Sequence, residues 1–246
     1  MDLKILNFFN LRTFLALLIS QLAVFLSIKF QLKLDVNVML FGLAVVFPLH
    51  FSIQSAYQRR ERALQYFSKF KGAMISIYYS IQIADDLSNE TKGEGRDLLQ
   101  ELAKALITKL ENREPGYESV QQKLNELCEF ISTHKKDLSK GNAIKTIRYV
   151  NRISESSVYL VNIISHRTMA GLRFYSVFFV IIFPFIQAPI LFNRLDGLLA
   201  DWILYVLVGL TSIILVSLTN FQKMIEYPFD QSGADNVQLK EFGLGI

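Results

Sequence analysis

The sequence predicts an all-α membrane protein, with four transmembrane helices per subunit arranged as two hairpins around a helical, water-facing middle. Three observations carry this. The mean hydropathy is +0.29 although the 246 residues include 26 basic and 22 acidic side chains, so apolar and charged residues must be segregated along the chain. Charge-free apolar runs occur twice toward each end of the sequence. No stretch of useful length alternates with the period of a strand. A disordered chain is excluded, because it would lack the apolar residues to bury. A chain spanning the membrane throughout is excluded as well, because that many charges do not sit in hydrocarbon.

The elements follow in order. Thr13 to Ile28 (TFLALLISQLAVFLSI) and Val36 to Tyr57 (VNVMLFGLAVVFPLHFSIQSAY) carry no charge. Each approaches the ~20 apolar residues that cross a bilayer. A polar turn with Lys29, Lys33 and Asp35 joins them, so residues 1–58 read as a first hairpin. A cleaved signal peptide is the competing reading of the first run. Against it, no small-residue cleavage site precedes the second run. Phe174 to Phe192 and Trp202 to Phe221 form the second hairpin, residues 173–222, with Pro184 and Pro189 expected to bend the third span. Residues 223–246 are left as a tail.

Residues 59–172 read as helical. Leu98, Leu99, Leu102, Leu106 and Leu110 share one helix face. Pro115-Gly116 ends that helix, and Val120, Leu124, Leu127 and Ile131 make a second stripe. The run 139–142 (SKGN) reads as another break. From Ala143 no breaker occurs until Gly171, so one helix is expected to run on into the third span. Arg59 to Ile83 is likewise expected to continue the second span.

Orientation follows from Lys and Arg near the span ends. Arg59, Arg60, Arg62, Lys69 and Lys71 follow the second span, and Arg167 and Arg173 precede the third, whereas the two short turns carry only Lys29, Lys33 and Arg194. The expectation is a multi-pass cell-membrane protein with the middle and both termini cytoplasmic. The region 58–172 holds 18 of the 26 basic and 14 of the 22 acidic residues, no excess of the kind that marks a nucleic-acid-binding block. The basic residues cluster beside the membrane, near anionic headgroups.

Catalytic chemistry finds no support. The sequence has no Walker loop and no GxGxxG, HExxH or GxSxG motif. One cysteine and three dispersed histidines (His50, His134, His166) give no metal cluster, and no cofactor is expected. Asp85-Asp86 reads as a helix end in water, His134 as solvated surface and Cys128 as a core thiol. His166 reads as an anchor where a helix meets the membrane, or as a pore or lipid contact.

The second span is more informative. Leu43, Phe47 and Phe51 recur every four residues and form one slightly winding stripe. Such a stripe usually packs on another span or on lipid. Here a proline, a histidine, a serine and a glutamine surround it, and polar residues at such depth face protein or a water-filled cavity. Several copies around an axis would make an apolar constriction that controls ions by wetting and dewetting.

The stretch Leu43 to Ala63 resembles the second helix of the bestrophin family: three bulky neck residues spaced by four, then Ala56, Tyr57 and Arg59 at the boundary. His166-Arg167-Thr168 and Phe183-Pro184-Phe185 are similar to elements around the third span of prokaryotic bestrophins. Ile225 to Asp230 (IEYPFD) resembles the signature that ends the bestrophin core, followed by Asp235-Asn236-Val237. The resemblance implies a homopentameric ion channel, conducting anions such as chloride, with a pore neck at Leu43, Phe47 and Phe51. It also implies a lower constriction at Ser157 or Val158. Arg59, Arg60 and Arg62 are the near-membrane basic residues that would draw anions if they face the pore. A calcium site is not expected, because only Asp230 and Asp235 remain where calcium-activated relatives carry an acidic cluster. The expected partners are small inorganic ions, the lipid bilayer and further copies of the chain. The alternative function is a membrane-anchored helical interaction or signalling module without conduction.

Overall fold

The computed structural model describes residues 10–113, 116–138, 140–165, 170–195 and 200–229. Among them are seven helices and no strand: α1 (Leu11–Lys29), α2 (Val38–Gln82), α3 (Asn89–Asn112), α4 (Glu118–Thr133), α5 (Lys140–Ser165), α6 (Ala170–Leu195) and α7 (Asp201–Ile225). The chain divides into two compact units, Met1–Gln58 with Thr168–Glu226 and Arg59–Arg167 with Tyr227–Ile246.

The first unit holds α1, the N-terminal part of α2, α6 and α7. Among the described residues, four helices are long and apolar enough to cross a membrane: α1, α2, Phe174–Leu195 of α6, and α7. Helix α1 packs on α6 and α7 through Ala23, Val24, Ala188, Phe192, Leu204 and Val208. Between apolar helices the hydrophobic effect is weak in lipid, so small residues and hydrogen bonds set the packing. Gly209 serves this: a Cβ there would lie 2.8 Å from Gln21 Nε2, which donates to the Tyr205 carbonyl at 3.3 Å. Thr211 donates to Gln187 Oε1 at 2.8 Å. The Asn220 amide donates to Asn10 Oδ1 and Thr13 Oγ1, both at 3.3 Å. Asn10 also caps α1, its side chain accepting from the backbone N–H groups of Arg12 and Thr13. The last turn of α6 meets the segment between α1 and α2 where Asn193 donates to the Leu34 carbonyl at 3.4 Å. Both Pro184 and Pro189 lie inside α6.

The second unit is a helical bundle with a closed core. Phe67, Met74, Ile77 and Ile81 of α2 are buried with Leu99, Leu102, Leu106 and Leu110 of α3, Leu127 of α4 and Ile153 of α5. The α3 and α4 stripes therefore do what their spacing requires, with Leu98 only partly buried at the edge. Ser88 caps α3, its hydroxyl accepting from Thr91 N–H at 3.1 Å. Arg113, in a left-handed conformation, ends the helix. Gly116 takes φ +92° in the turn before α4, a conformation disfavoured for residues with a Cβ. Tyr66 of α2 stacks on Tyr159 of α5 with ring centroids 3.7 Å apart, and the Arg59 guanidinium donates to the Ile163 carbonyl.

Two expectations are altered. Cys128 is exposed, not a core thiol: it sits roughly 70° around α4 from the middle of the Val120/Leu124/Leu127/Ile131 stripe, although partial burial raises its thiol pKa. The run 139–142 does not separate two helices after Lys140, because Gly141 and Asn142 lie within α5. The expected continuation of the second span is present: α2 is a single element of 45 residues, about 68 Å long at 1.5 Å per residue, more than twice the ~30 Å of a hydrocarbon core. The expected helix through 166–169, with His166, Arg167 and Thr168, lies outside the described residues, as do Asp230, Asp235, Asn236 and Val237.

Candidate pore-lining face of the second helix

Within the first unit, α2 has two opposed faces. Val45, Leu49, Ser52 and Ala56 are buried, and the first two pack with Val180 and Phe183 of α6 and Leu215 and Val216 of α7. At 100° per residue, Leu43, Phe47 and Phe51 lie about half a turn away. They are 38%, 53% and 60% exposed. The Phe47 and Phe51 rings stack with centroids 6.4 Å apart, and His50 meets the Phe51 ring edge-on at 6.0 Å. The three expected neck residues thus form one continuous surface that their own chain leaves uncovered.

Below Phe51 the same face continues as Gln54, Gln58 and Gln65, all exposed. The sequence reading passed over Gln58 and Gln65. The signal that finds them is the three-and-four spacing from Phe51. These amides offer hydrogen bonds but no net charge.

The near-membrane arginines differ from one another. Arg59 falls on the packed side of α2, with its guanidinium on the Ile163 carbonyl. Arg60 pairs with Glu61 at 3.3 Å. Arg62 is exposed, roughly 60° around the helix from the neck face.

The two residues at the expected lower constriction separate as well. Ser157 is fully buried. Its hydroxyl donates to the Ser154 carbonyl at 3.0 Å and lies 2.6 Å from the Tyr117 hydroxyl. Val158, one residue on, is 39% exposed. It belongs to an exposed line on α5 that includes Ile144, Asn151, Glu155 and Asn162.

The segment after α7 is anchored in the second unit. Phe229 is buried in that unit's core, and the Arg113 guanidinium lies 4.3 Å from the Tyr227 ring centroid. Among the described residues no group of three His, Cys, Asp or Glu side chains is placed to hold a metal ion.

No protein-family model matches the sequence, and no curated protein is similar to it by sequence. Solved structures are similar in fold. Crystal structures of three variants of a bacterial bestrophin homologue from Klebsiella pneumoniae superpose with TM-scores of 0.79, 0.81 and 0.78. The identities are 14%, 14% and 15%, over 94% of this chain and 93%, 92% and 93% of theirs. Across nearly its whole length, then, this chain has the fold of the bacterial bestrophin homologues.

Proposed function

We propose that the protein is an ion channel of the cell membrane, a homopentamer in which five copies of α2 surround the ion path and Leu43, Phe47 and Phe51 form its apolar neck. The observation that carries this reading is the uncovered stripe half a turn from the buried face of α2. Lipid could cover an apolar stripe. It is a poor host for the exposed His50, Gln54 and Gln58 that flank and continue it. Around a shared axis the same residues make sense as a ring of bulky side chains that dewets, followed by a polar lining. A single chain with four candidate spans encloses no wide path, and cyclic symmetry supplies one. Val158 carries the second narrowing, within the second unit, because Ser157 is committed to Tyr117 and Ser154. The middle and both termini are placed on the cytoplasmic side by the Lys and Arg bias at the span ends.

For the permeant ion we assign chloride. The support is the exposed Arg62 and the net charge of +4, since Arg59 and Arg60 are engaged elsewhere. The neutral glutamines below the neck point to a modest preference over cations.

The experiment is ion flux through vesicles reconstituted with the purified protein. Phe47→Ala and Phe51→Ala should raise the flux severalfold by widening and wetting the neck. Unchanged flux in both would overturn the gate. No flux from any variant, with a monomer or dimer mass in detergent, is the result expected of a membrane-anchored interaction module.

A further inference from the structure

Helix α5 runs back along α2 in the second unit. Arg59 reaches the Ile163 carbonyl near one end, and the Tyr66 and Tyr159 rings stack further down. Beyond that stack lies a groove of about 600 Å³ between the two helices, with Lys69, Gly72 and Ser76 on the α2 wall and Arg152, Glu155 and Ser156 on the α5 wall. That volume lies in the range of small-molecule clefts. Lys69, Gly72 and Ser76 follow Gln65 at spacings of four, three and four, so the groove opens beside the line of glutamines on the ion-path side of α2.

The protein leaves the polar groups of this lining unsatisfied. Ser156 is 2% exposed, yet its hydroxyl makes no hydrogen bond among the described contacts. Buried hydroxyls are normally satisfied, and a helical serine or threonine readily bonds back to the carbonyl four residues earlier. Ser76, Ser80, Thr146 and Ser165 all do so, and Ser156 does not. Lys69 lies over the Tyr66 ring at 4.6 Å and Arg152 over the Tyr149 ring at 5.9 Å. An aromatic face attracts a cation without accepting all its N–H donors, so both cations keep donors for a ligand. Glu155 forms no ion pair with either among the described contacts, although all three charges line one groove.

We propose that the groove binds a small molecule carrying two negative charges and one ammonium, the pattern opposite to that of Lys69, Arg152 and Glu155. Its oxyanion end sits between Lys69 and Arg152 and accepts from the Ser156 hydroxyl, and its ammonium pairs with Glu155. A bare anion satisfies the two cations but is repelled by Glu155, so the glutamate selects the aminated ligand. A carboxylate and a phosphate ester both supply such an oxyanion. Bound there, the ligand stands at the side of the ion path and lowers conduction. That consequence rests on the channel reading above, and the binding does not.

The test is equilibrium dialysis of the purified full-length protein in detergent against L-aspartate and O-phosphoethanolamine. Succinate and ethyl phosphate serve as their counterparts without the amine. Saturable binding of an aminated probe is expected, about tenfold tighter than its counterpart, the worth of one hydrogen bond to a charged group. Which of the two probes binds tells a carboxylate from a phosphate ligand. Binding of neither, or equal binding of a probe and its counterpart, overturns the proposal. Glu155→Gln should erase the preference for the amine, a readout that a merely structural role would not move, and a preference that survives it overturns the site. Lys69→Gln and Arg152→Gln should each weaken the aminated probe about tenfold. Ser156→Ala should weaken it roughly threefold without loss of thermal stability, because the hydroxyl has no protein partner to lose. A Ser156→Ala variant that unfolds earlier and binds normally removes the serine from the site. Flux through vesicles separates this proposal from the channel reading. Conduction without binding overturns the site and keeps the channel. Binding with undiminished flux overturns the effect on conduction and keeps the site. Binding without any conduction overturns the channel reading alone.

Discussion

The Tyr117 hydroxyl lies 2.6 Å from Ser157 Oγ, joining the start of α4 to the middle of α5 across 40 residues of sequence. Ser157 directs its own proton to the Ser154 carbonyl, so Tyr117 is the donor between them. The pair explains why a small polar residue occupies the buried position beside Val158. Ser157→Ala should cost about 1–2 kcal/mol, the usual penalty for leaving a buried hydroxyl without its partner, measured by thermal unfolding in detergent. Tyr117→Phe in the same background should add little, because both partners are then gone. Equal and additive losses would show that the bond contributes nothing.

The same tyrosine makes stability depend on pH. Burial raises its pKa above the ordinary value of 10.0, so the folded chain holds the phenolic proton more tightly than the unfolded chain does. The contribution is fully present below pH 10 and is lost as pH rises through the folded pKa. Wild type and Tyr117→Phe should therefore converge in stability toward alkaline pH. A gap that stays constant from neutral pH to pH 11 would sink this account.

The exposed apolar stripe of α2 was legible in the sequence because its signal is local. Leu43, Phe47 and Phe51 are spaced by one helical turn, and the buried set Val45, Leu49, Ser52 and Ala56 alternates with them at the same period. The leucine stripe of α3 and the apolar stripe of α4 were legible for the same reason. Ser157 and Arg59 were not. Each is committed to a group far away in the chain, a tyrosine 40 residues before and a carbonyl 104 residues after, and no periodicity encodes such a partner. Cys128 misleads because one step along a helix, ~100°, takes a residue from the core stripe to the surface.

Gly95 tests the packing of the end of α2 against α3 and α4. Its missing Cβ makes room for Ile81 Cδ1 at 2.9 Å and the Phe130 ring at 3.1 Å. Gly95→Ala should destabilise the protein by roughly 1–3 kcal/mol, as overpacking of a filled core does, despite the better helix propensity of alanine. Ile81→Val removes the nearest atom and should recover part of that loss. A fully additive double variant would mean that the two side chains do not meet.

Val158 and Ser157 should separate in function as they do in space. Val158 is exposed in the single chain, so Val158→Ala is expected to leave the unfolding free energy within about 0.5 kcal/mol of wild type, as surface changes usually do. If it lines a narrowing, Val158→Ala should raise conductance in planar bilayers, and Val158→Phe should lower it. Unaltered conductance in both variants removes Val158 from the ion path.

The arginines give the sharpest division between folding and selectivity. Arg59 holds the Ile163 carbonyl, so Arg59→Ala should cost about 1.5–3 kcal/mol, the range for a hydrogen bond from a charged group, and should not move the reversal potential. Arg62 is exposed beside the neck face and has no such tie among the described contacts. Arg62→Glu should leave stability near wild type and shift the reversal potential under a salt gradient toward the cation value. The shift should shrink at high ionic strength, because an exposed charge acts over a Debye length of about 8 Å at 0.15 M salt. A reversal potential already at the cation value in the wild type would discard chloride as the permeant ion while leaving the neck in place. The opposite pattern, with Arg59→Ala changing selectivity and Arg62→Glu changing stability, would mean that α2 is rotated from the orientation described.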